Sequence, residues 1–266
     1  MKLSFIGKAN DEDVGFAVAN GFSGIEILYH NFFSEKDEQG REEQKALMKR
    51  NALEVCAIGL WRINTIDPDS QKRKENIAAI KRFIDHAEFL ECPVAYTGAG
   101  LFKEGDDEAN LKEFLEVFPE IVDYAERKGI KVALYMGHHP NFVNNTEIWD
   151  RVSEAIPKLG MKLDPVGIIR NMKADYLDVL KRYGHKVYHF HIKDILRLGD
   201  FEIEPTVGMG EIEWGKIFGI LYHYRYDGYI SIEPHGPDWG KPENRYLGLK
   251  LSKRFVDTFI LPRTEE

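Results

Sequence analysis

Cysteine is scarce in this chain: Cys56 and Cys92 are the two among 266 residues. Two cysteines cannot build a disulfide framework and lack the clustered spacing of a zinc ribbon, so we expect two small buried side chains in a reducing compartment. Apolar runs are short, and none approaches the roughly 18 residues of a membrane helix. The segment MKLSFIGKANDED reaches acidic residues before any signal-like stretch. These absences predict a cytoplasmic protein that does not span a membrane.

Basic residues are also in the minority, with 36 Lys and Arg against 44 Asp and Glu and a net charge of −8. This balance argues against a general affinity for nucleic acid or anionic lipid, although it is compatible with a local basic pocket. The length suits one α/β barrel of about 250 residues. Because no linker, repeat or low-complexity segment divides the chain, we predict a single domain over residues 1–266.

Short β-rich runs alternate with longer amphipathic stretches along the chain. Apolar residues recur every three or four positions in 73–90 and 111–128, and a final helix is predicted at about 243–260. Gly21 and Gly129 are placed where helices end ahead of the second and fifth runs. The eight β-rich runs are LSFIG, GIEIL, EVCAIGL, PVAYTGA, KVALYM, MKLDP, VYHFHIK and GYISIEP.

Eight such units predict a (β/α)8 TIM barrel. Strands that alternate with helices form parallel sheets with right-handed crossovers, and eight of them close most simply into a barrel. An open doubly wound sheet is the alternative, but SFIGKANDED lacks the second glycine of its usual Gly-rich first turn. In a barrel the active site lies at the carboxyl ends of the strands, so polar residues there are the first candidates for chemistry.

Polar side chains stand near the carboxyl ends of four predicted strands. Strand two carries Glu26, strand six ends in Asp164, strand seven carries His189 and His191, and strand eight ends in Glu233. Because side chains alternate along a strand, all five should point into the barrel. Asp164, His191 and Glu233 then converge from three successive strands, while His189 lies one layer deeper.

Two carboxylates and an imidazole at one point form a ligand set that suits manganese, magnesium, cobalt or zinc. Each of the three residues is also compatible with an ordinary hydrogen-bonded role in the interior. Two uncompensated carboxylates at close range raise each other's pKa, and a cation relieves that repulsion. We therefore predict a divalent-metal site at Asp164, His191 and Glu233. Lys193 and Asp194, next along the chain, either orient His191 from behind or close the strand.

Four segments in order, MKLDP, VYHFHIKD, VGMGEIEWGKIF and YDGYISIEPHG, resemble the xylose isomerase-like TIM barrel superfamily. NGFSGIEI and RYLGLKLSKRFVDTFI are similar to its second strand and last helix, so the resemblance covers the whole chain. That superfamily contains sugar isomerases, sugar and sugar-phosphate epimerases, inosose dehydratases and a barrel-type apurinic endonuclease. The end of strand eight, ISIEPHGPDW, is most similar to its sugar phosphate isomerase/epimerase group.

The resemblance also implies a metal-ligand set with a Glu after strand five, an Asp after strand six, a His after strand seven and a Glu after strand eight. Asp164, His191 and Glu233 match the last three. Tyr135 stands in the place of the first Glu, so the carboxylate pair with which the epimerases remove and return a proton is incomplete. Gly167 replaces a His often found three residues after the strand-six Asp.

The implied catalytic residues are Glu233, Tyr135 and His138. Tyrosine, with a reference pKa of about 10, is a poor base, although it can donate a proton or bind a metal when ionised. His138 and His139 follow the end of strand five and are either replacement ligands or bases, or loop histidines without a fixed partner. Glu233 or one of these histidines would move the proton.

Six residues on the inner strand faces and the following loops are expected to contact the substrate: Glu26, Trp61, Arg62, His189, Lys193 and Trp239. Trp61 and Trp239 would form apolar walls, and Arg62 would contact a phosphate. Glu26 reaches a substrate hydroxyl, supports a metal ligand or pairs with Lys162. Ordinary loop packing is the alternative for each of them.

The leading functional hypothesis is a divalent-metal-dependent isomerase or epimerase of a small sugar, sugar phosphate or polyol, acting by proton abstraction next to a carbonyl. Dehydration of a cyclic ketose begins with the same step. The second hypothesis is a barrel that binds a carbohydrate-like ligand without turnover, as the departures at Tyr135 and Gly167 suggest. A DNA-repair endonuclease comes last because the chain is acidic and lacks further histidine ligands. A homodimer is compatible with this type of barrel.

Overall fold

The computed structural model describes residues 1–260, except for the side chains of Asn31 and Phe32. Within that range, eight parallel strands close into a barrel in which the first strand pairs with the last, Lys2 opposite Tyr229. The barrel strands are β1 (Lys2–Gly7), β2 (Gly24–Leu28), β3 (Glu54–Leu60), β4 (Val94–Thr97), β5 (Lys131–Tyr135), β6 (Gly160–Leu163), β7 (Val187–Ile192) and β10 (Tyr229–Ile232). Strands β8 (Leu196–Leu198) and β9 (Phe201–Ile203) form a separate hairpin between β7 and β10. The predicted (β/α)8 barrel is confirmed, and the open sheet is excluded.

Helices connect the strands and form the outer layer. They are α1 (Asp11–Ala19), α2 (Tyr29–Phe32), α3 (Glu38–Arg50), α4 (Ser70–Phe89), α5 (Asp107–Glu126), α6 (Thr146–Ala155), α7 (Pro165–Gly167), a π-helical turn (Ile168–Met172), α8 (Tyr176–Tyr183), a 3-10 turn (Gly184–Lys186), α9 (Trp214–His223), α10 (Gly236–Trp239) and α11 (Pro242–Val256). The helices predicted at 73–90 and 111–128 begin earlier, because the carboxylates of Asp69 and Asp106 cap the first turns of α4 and α5. No helix among residues 1–260 is long and apolar enough to cross a membrane.

The apolar core has two parts. The larger part lies between strands and helices and includes fully buried Phe114, Phe118 and Trp149. Each such side chain contributes about 1.5–3 kcal/mol to folding. The smaller part fills the barrel interior and consists of Cys56, Ala57, Val94, Tyr96, Ala133, Tyr135 and Tyr229. Both cysteines are buried and free, as the sequence predicts.

Strand alternation places most side chains as expected. On β10, Tyr229 belongs to the interior cluster while Ile230 and Ile232 belong to the outer core. The start of β7 departs from the alternation, since the expected outward Tyr188 packs against the interior cluster and Val187 lies in the outer core. The β6–β7 register shifts at this point by a bulge, which turns one extra residue of β7 inward.

The segment between β7 and α9 is anchored by a buried carboxylate. Asp194 accepts hydrogen bonds from the Gly208 backbone N–H at 2.9 Å, from the Ile212 backbone N–H at 3.2 Å and from Trp214 Nε1 at 2.9 Å. The β8–β9 hairpin, which the sequence did not indicate, lies within this segment. Asp194 therefore organises the loop that follows the strand and does not hydrogen-bond to His191.

Candidate metal centre

A buried carboxylate lies at the centre of the barrel. Glu26 of β2 accepts hydrogen bonds from His189 Nε2 at 2.7 Å and from His191 Nε2 at 2.7 and 2.9 Å, and it also accepts one from the Tyr96 hydroxyl. All four side chains are 0% exposed. Burial alone would raise the pKa of Glu26, but the two imidazoles outweigh it and hold that pKa well below its ordinary value. Glu26 is thus a buried anion that fixes both histidine rings.

Glu26 and His189 lie below the level at which the cavity begins. Neither residue lines the cavity at the carboxyl ends of the strands, and Glu26 contacts the imidazoles rather than Lys162. His189 stacks on Tyr96 with ring centroids 5.9 Å apart, one layer beneath His191. Glu26 thus holds the His191 ring from below and His189 packs beneath it, with ring centroids 5.3 Å apart.

Above this layer, three side chains converge as the sequence predicts. Asp164 follows β6, His191 lies in β7 and Glu233 follows β10, and one ligand atom from each lies within 4.8 Å of the other two. His191 Nδ1 is 3.1 Å from Glu233 Oε2, on the opposite side of the ring from Glu26. Among the described residues, Glu26, His189 and His191 form a second such group, whose atoms are already used in mutual hydrogen bonds.

Two lysines share the upper cluster. Lys193 Nζ lies 3.0 Å from Glu233 Oε2 and 3.1 Å from Asp164 Oδ2, and Lys162 Nζ lies 3.5 Å from the same Asp164 oxygen. Burial would raise the pKa values of Asp164 and Glu233, but these ammonium groups, with His191, hold both well below the ordinary range. Burial lowers the pKa of Lys193, yet the two carboxylates raise it above its usual value. Both carboxylates are therefore ionised at neutral pH.

The donor set fits a divalent cation. Asp164 Oδ2 is buried and accepts no hydrogen bond from the described residues, although the ammonium groups of Lys193 and Lys162 lie 3.1 and 3.5 Å away. Two carboxylates with one imidazole are hard and borderline ligands of the kind that zinc, manganese and magnesium accept. Glu26 orients His191 from behind, which is the usual arrangement for a metal-binding histidine.

A cavity of about 790 Å³ opens above this cluster at the carboxyl ends of the strands. Glu233 and Lys193 reach its floor. Gly167 lines its wall at the position where the family resemblance implies a histidine. The lining residues are Leu28, His30, Trp61, Arg62, Tyr135, His138, His139, Val166, Gly167, Arg170, Asn171, Lys193, Glu233 and His235. The volume is ample for a small sugar or cyclic polyol.

Aromatic side chains build one wall of the cavity. Trp61 stacks on Tyr135 with ring centroids 4.4 Å apart, and the His138 ring meets the Trp61 ring edge-on at 5.0 Å. Burial raises the pKa of Tyr135 to about 12, and its hydroxyl finds no hydrogen-bond partner in the described chain. Burial and then the charges of Lys162 and Lys193 lower the pKa of His138. At neutral pH the tyrosine is therefore a hydrogen-bond donor and the imidazole is neutral.

The opposite rim consists of charged residues that sequence reasoning missed. Glu204, just after β9, forms ion pairs with Arg170 and His235. Arg170 and His235 line the cavity, whereas Glu204 does not. Burial would raise the pKa of Glu204, but its hydrogen bonds with His235 and Arg170 lower it. No strand-end pattern marks Glu204, because it comes from the loop that carries the unpredicted hairpin.

Of the residues expected to contact the substrate, Arg62 lines the cavity and Trp239 does not. Arg62 is exposed on the cavity wall. The backbone of Arg62 is left-handed, with a φ of +60°, and the backbone of His138 has the same φ. Trp239 in α10 is not among the residues that line the cavity. It packs beside α11, where a Cβ on Gly248 would lie 3.1 Å from its ring.

The chain is similar to several known proteins. The family model for the xylose isomerase-like TIM barrel matches residues 14–253. An inosose dehydratase of Histophilus somni is 26% identical over 266 aligned residues, which cover 87% of this chain and 85% of that protein.

Two solved structures share the fold at low identity. An IOLI protein with a binding zinc atom superposes with a TM-score of 0.81 at 20% identity, over 97% of this chain and 98% of that chain. D-psicose 3-epimerase with D-tagatose, from Clostridium cellulolyticum H10, has a TM-score of 0.81 at 15% identity, over 97% and 99%. These two likenesses show the shared fold, and the family match over residues 14–253 shows that the chain belongs to the xylose isomerase-like TIM barrel family.

Proposed function

We propose that this protein is a divalent-metal-dependent enzyme that moves a proton on the carbon next to a carbonyl of a small polyol or ketose. The observation that carries this proposal is the convergence of Asp164, His191 and Glu233 beneath the cavity. Those three residues would hold the metal. When bound, a divalent ion would supply Lewis acidity that polarises a substrate carbonyl and stabilises the charge left by proton removal.

The chain's own residues supply acid and base groups around the cavity. Glu233 is ionised and reaches the cavity with 17% of its side chain exposed, so it can accept a proton from a substrate carbon. His138 stands on the aromatic wall as a neutral imidazole and can return a proton. The Tyr135 hydroxyl stays protonated and is free to donate a hydrogen bond to a substrate oxygen.

His138 then serves as the second base, because Tyr135 stands where the family has the glutamate that would fill this role. Its left-handed backbone is uncommon for a residue with a Cβ, and such conformations cluster at functional sites. Isomerisation, epimerisation and dehydration all begin with proton removal beside a carbonyl, and the similar proteins include an inosose dehydratase and a D-psicose 3-epimerase. We propose an inosose or a related ketose as the substrate.

The test is proton exchange in deuterated water. The protein, loaded with Mn²⁺, is incubated separately with an inosose, D-psicose and D-tagatose, the metal is removed, and NMR then follows the hydrogen on the carbon next to the carbonyl. We expect exchange with at least one ketone, and its loss in Glu233→Gln. Glu54→Gln is the matched control, because Glu54 begins β3 at the opposite end of the barrel and pairs with Lys2.

Two results would oppose the proposal. Exchange that survives in Glu233→Gln would remove the glutamate from the proton transfer. Metal binding without exchange on any of the ketones would favour a barrel that binds a carbohydrate-like ligand without turnover, for which Tyr135 in place of a carboxylate is the supporting observation.

A further inference from the structure

We propose that Lys193 is a resident cation of the metal centre, and that its ammonium group leaves the gap between Asp164 and Glu233 when a divalent ion binds there. This inference rests on the proposed metal site and adds a device to it. Metal binding would exchange one cation for another and deliver the displaced ammonium to the substrate cavity.

The contacts of Lys193 place it where the metal belongs. Its Nζ lies 3.1 Å from Asp164 Oδ2 and 3.0 Å from Glu233 Oε2, and these residues supply two of the three candidate ligands. A divalent ion bound to the same oxygens would lie about 2.0–2.2 Å from each of them. Because an ammonium and a metal ion repel each other, both cannot occupy the narrow space between these two carboxylates.

The second lysine is held differently. Lys162 is only 1% exposed, lies 3.5 Å from Asp164 Oδ2 and has its ammonium 5.6 and 5.9 Å from the ring centroids of Trp61 and Tyr96. It does not line the cavity, so that space is not open to its ammonium group. Lys162 Nζ lies 3.5 Å from Asp164 Oδ2, whereas Lys193 Nζ lies 3.1 Å from it, so Lys162 leaves more room for a metal ion beside that oxygen.

Lys193 has a route out of the gap. It is the first residue after β7, its side chain is 8% exposed, and it lines the cavity of about 790 Å³. A flexible four-carbon stem allows its ammonium to turn from the carboxylates into that cavity. There it would meet the oxygen atoms of a polyol or ketose, so that metal loading would prepare the site for substrate.

The consequence is that Lys193 competes with the metal. We expect Lys193→Met to bind Mn²⁺ at least tenfold more tightly than the wild type, as measured by titration with EPR detection of free Mn²⁺. Lys193→Arg keeps the charge and should bind no more tightly than the wild type. Lys162→Met removes a nearby charge without emptying the gap, and its gain in affinity should be clearly smaller than that of Lys193→Met.

A second measurement needs no variant and covers the case in which Lys193→Met fails to fold. A crystal structure of the wild type grown with Mn²⁺ should show Lys193 Nζ beyond hydrogen-bond distance of both Asp164 and Glu233, with the side chain in the cavity. Mn²⁺ bound while Lys193 keeps both contacts would overturn the inference.

The outcomes separate this inference from the proposed function. If the wild type binds Mn²⁺ and Lys193→Met binds it no better, the resident cation is refuted while the metal centre stands. If only Lys193→Met binds Mn²⁺, the resident cation is supported and the metal-dependent function of the wild type is refuted. If neither protein binds Mn²⁺, both proposals fail.

Discussion

Glu26→Gln perturbs the layer that supports the metal centre. The carboxylate accepts hydrogen bonds from two imidazoles and a phenol and is completely buried. Glutamine keeps the size of the side chain but offers a single acceptor oxygen and turns an NH₂ group towards the remaining donors. The substitution therefore leaves His189 and His191 without their shared anion.

The expected loss follows from these contacts. Removing one partner of a buried ionic network costs about 3–5 kcal/mol, because the other groups remain buried without compensation. For a protein of this size that corresponds to a fall in Tm of roughly 6–20 °C. Since Glu26 also fixes the ring of His191, metal affinity should fall by about 10–100-fold.

Urea unfolding with EDTA gives the free energy of unfolding, and calorimetric titration with Mn²⁺ gives the affinity. Ser4→Ala is the control, because it removes a buried neutral hydrogen bond to Ser231 of 2.7 Å in the same interior. That control should cost about 1 kcal/mol and leave Mn²⁺ affinity unchanged. A Glu26→Gln variant as stable as Ser4→Ala, with wild-type Mn²⁺ affinity, would refute the reasoning.

Three further predictions concern His138, the pH dependence that Glu26 confers and the loop anchor at Asp194. His138→Asn should lower kcat by about 10²–10⁴-fold with unchanged Mn²⁺ affinity, and a parallel loss of both would contradict its assignment as a base. The lowered pKa of Glu26 gives stability that is present above its unfolded pKa of about 4.3 and is lost as pH falls through the folded value. Acid unfolding in EDTA should therefore be shallower for Glu26→Gln than for the wild type, and equal slopes would count against this contribution. Asp194→Asn should cost about 1.5–3 kcal/mol in urea unfolding and expose the loop after β7 to protease, whereas unchanged cleavage would argue against that anchor.

The barrel and the metal-ligand group could be predicted from the sequence because both depend on local patterns. The alternation of strands and helices gave the fold, and the position of Asp164, His191 and Glu233 near strand ends gave their convergence. Each of these inferences needs only the period of a strand and the closure of the barrel. At the start of β7 the same period fails, because a bulge adds a residue that no hydrophobic pattern marks.

Contacts across the barrel and from loops could not be read in this way. Of the three roles considered for Glu26, its contact with His191 agrees with support of a metal ligand. The sequence could not choose among the three, since β2 and β7 are separated by two strands and their side chains meet only in the closed interior. The ammonium of Lys193 lies beyond the end of its strand, where alternation no longer fixes direction. Glu204 comes from a loop whose hairpin has no sequence signature.

The central claim is that Asp164, His191 and Glu233 hold one divalent ion. Its most direct test is the metal content of the purified protein after equilibration with Mn²⁺ or Zn²⁺ and removal of free ions, measured for the wild type, His191→Ala and Glu233→Gln. We predict about one ion per chain in the wild type, from three protein ligands that leave a position open for substrate, and little or none in either variant. A folded wild type without metal, or variants that retain a full equivalent, would contradict the account.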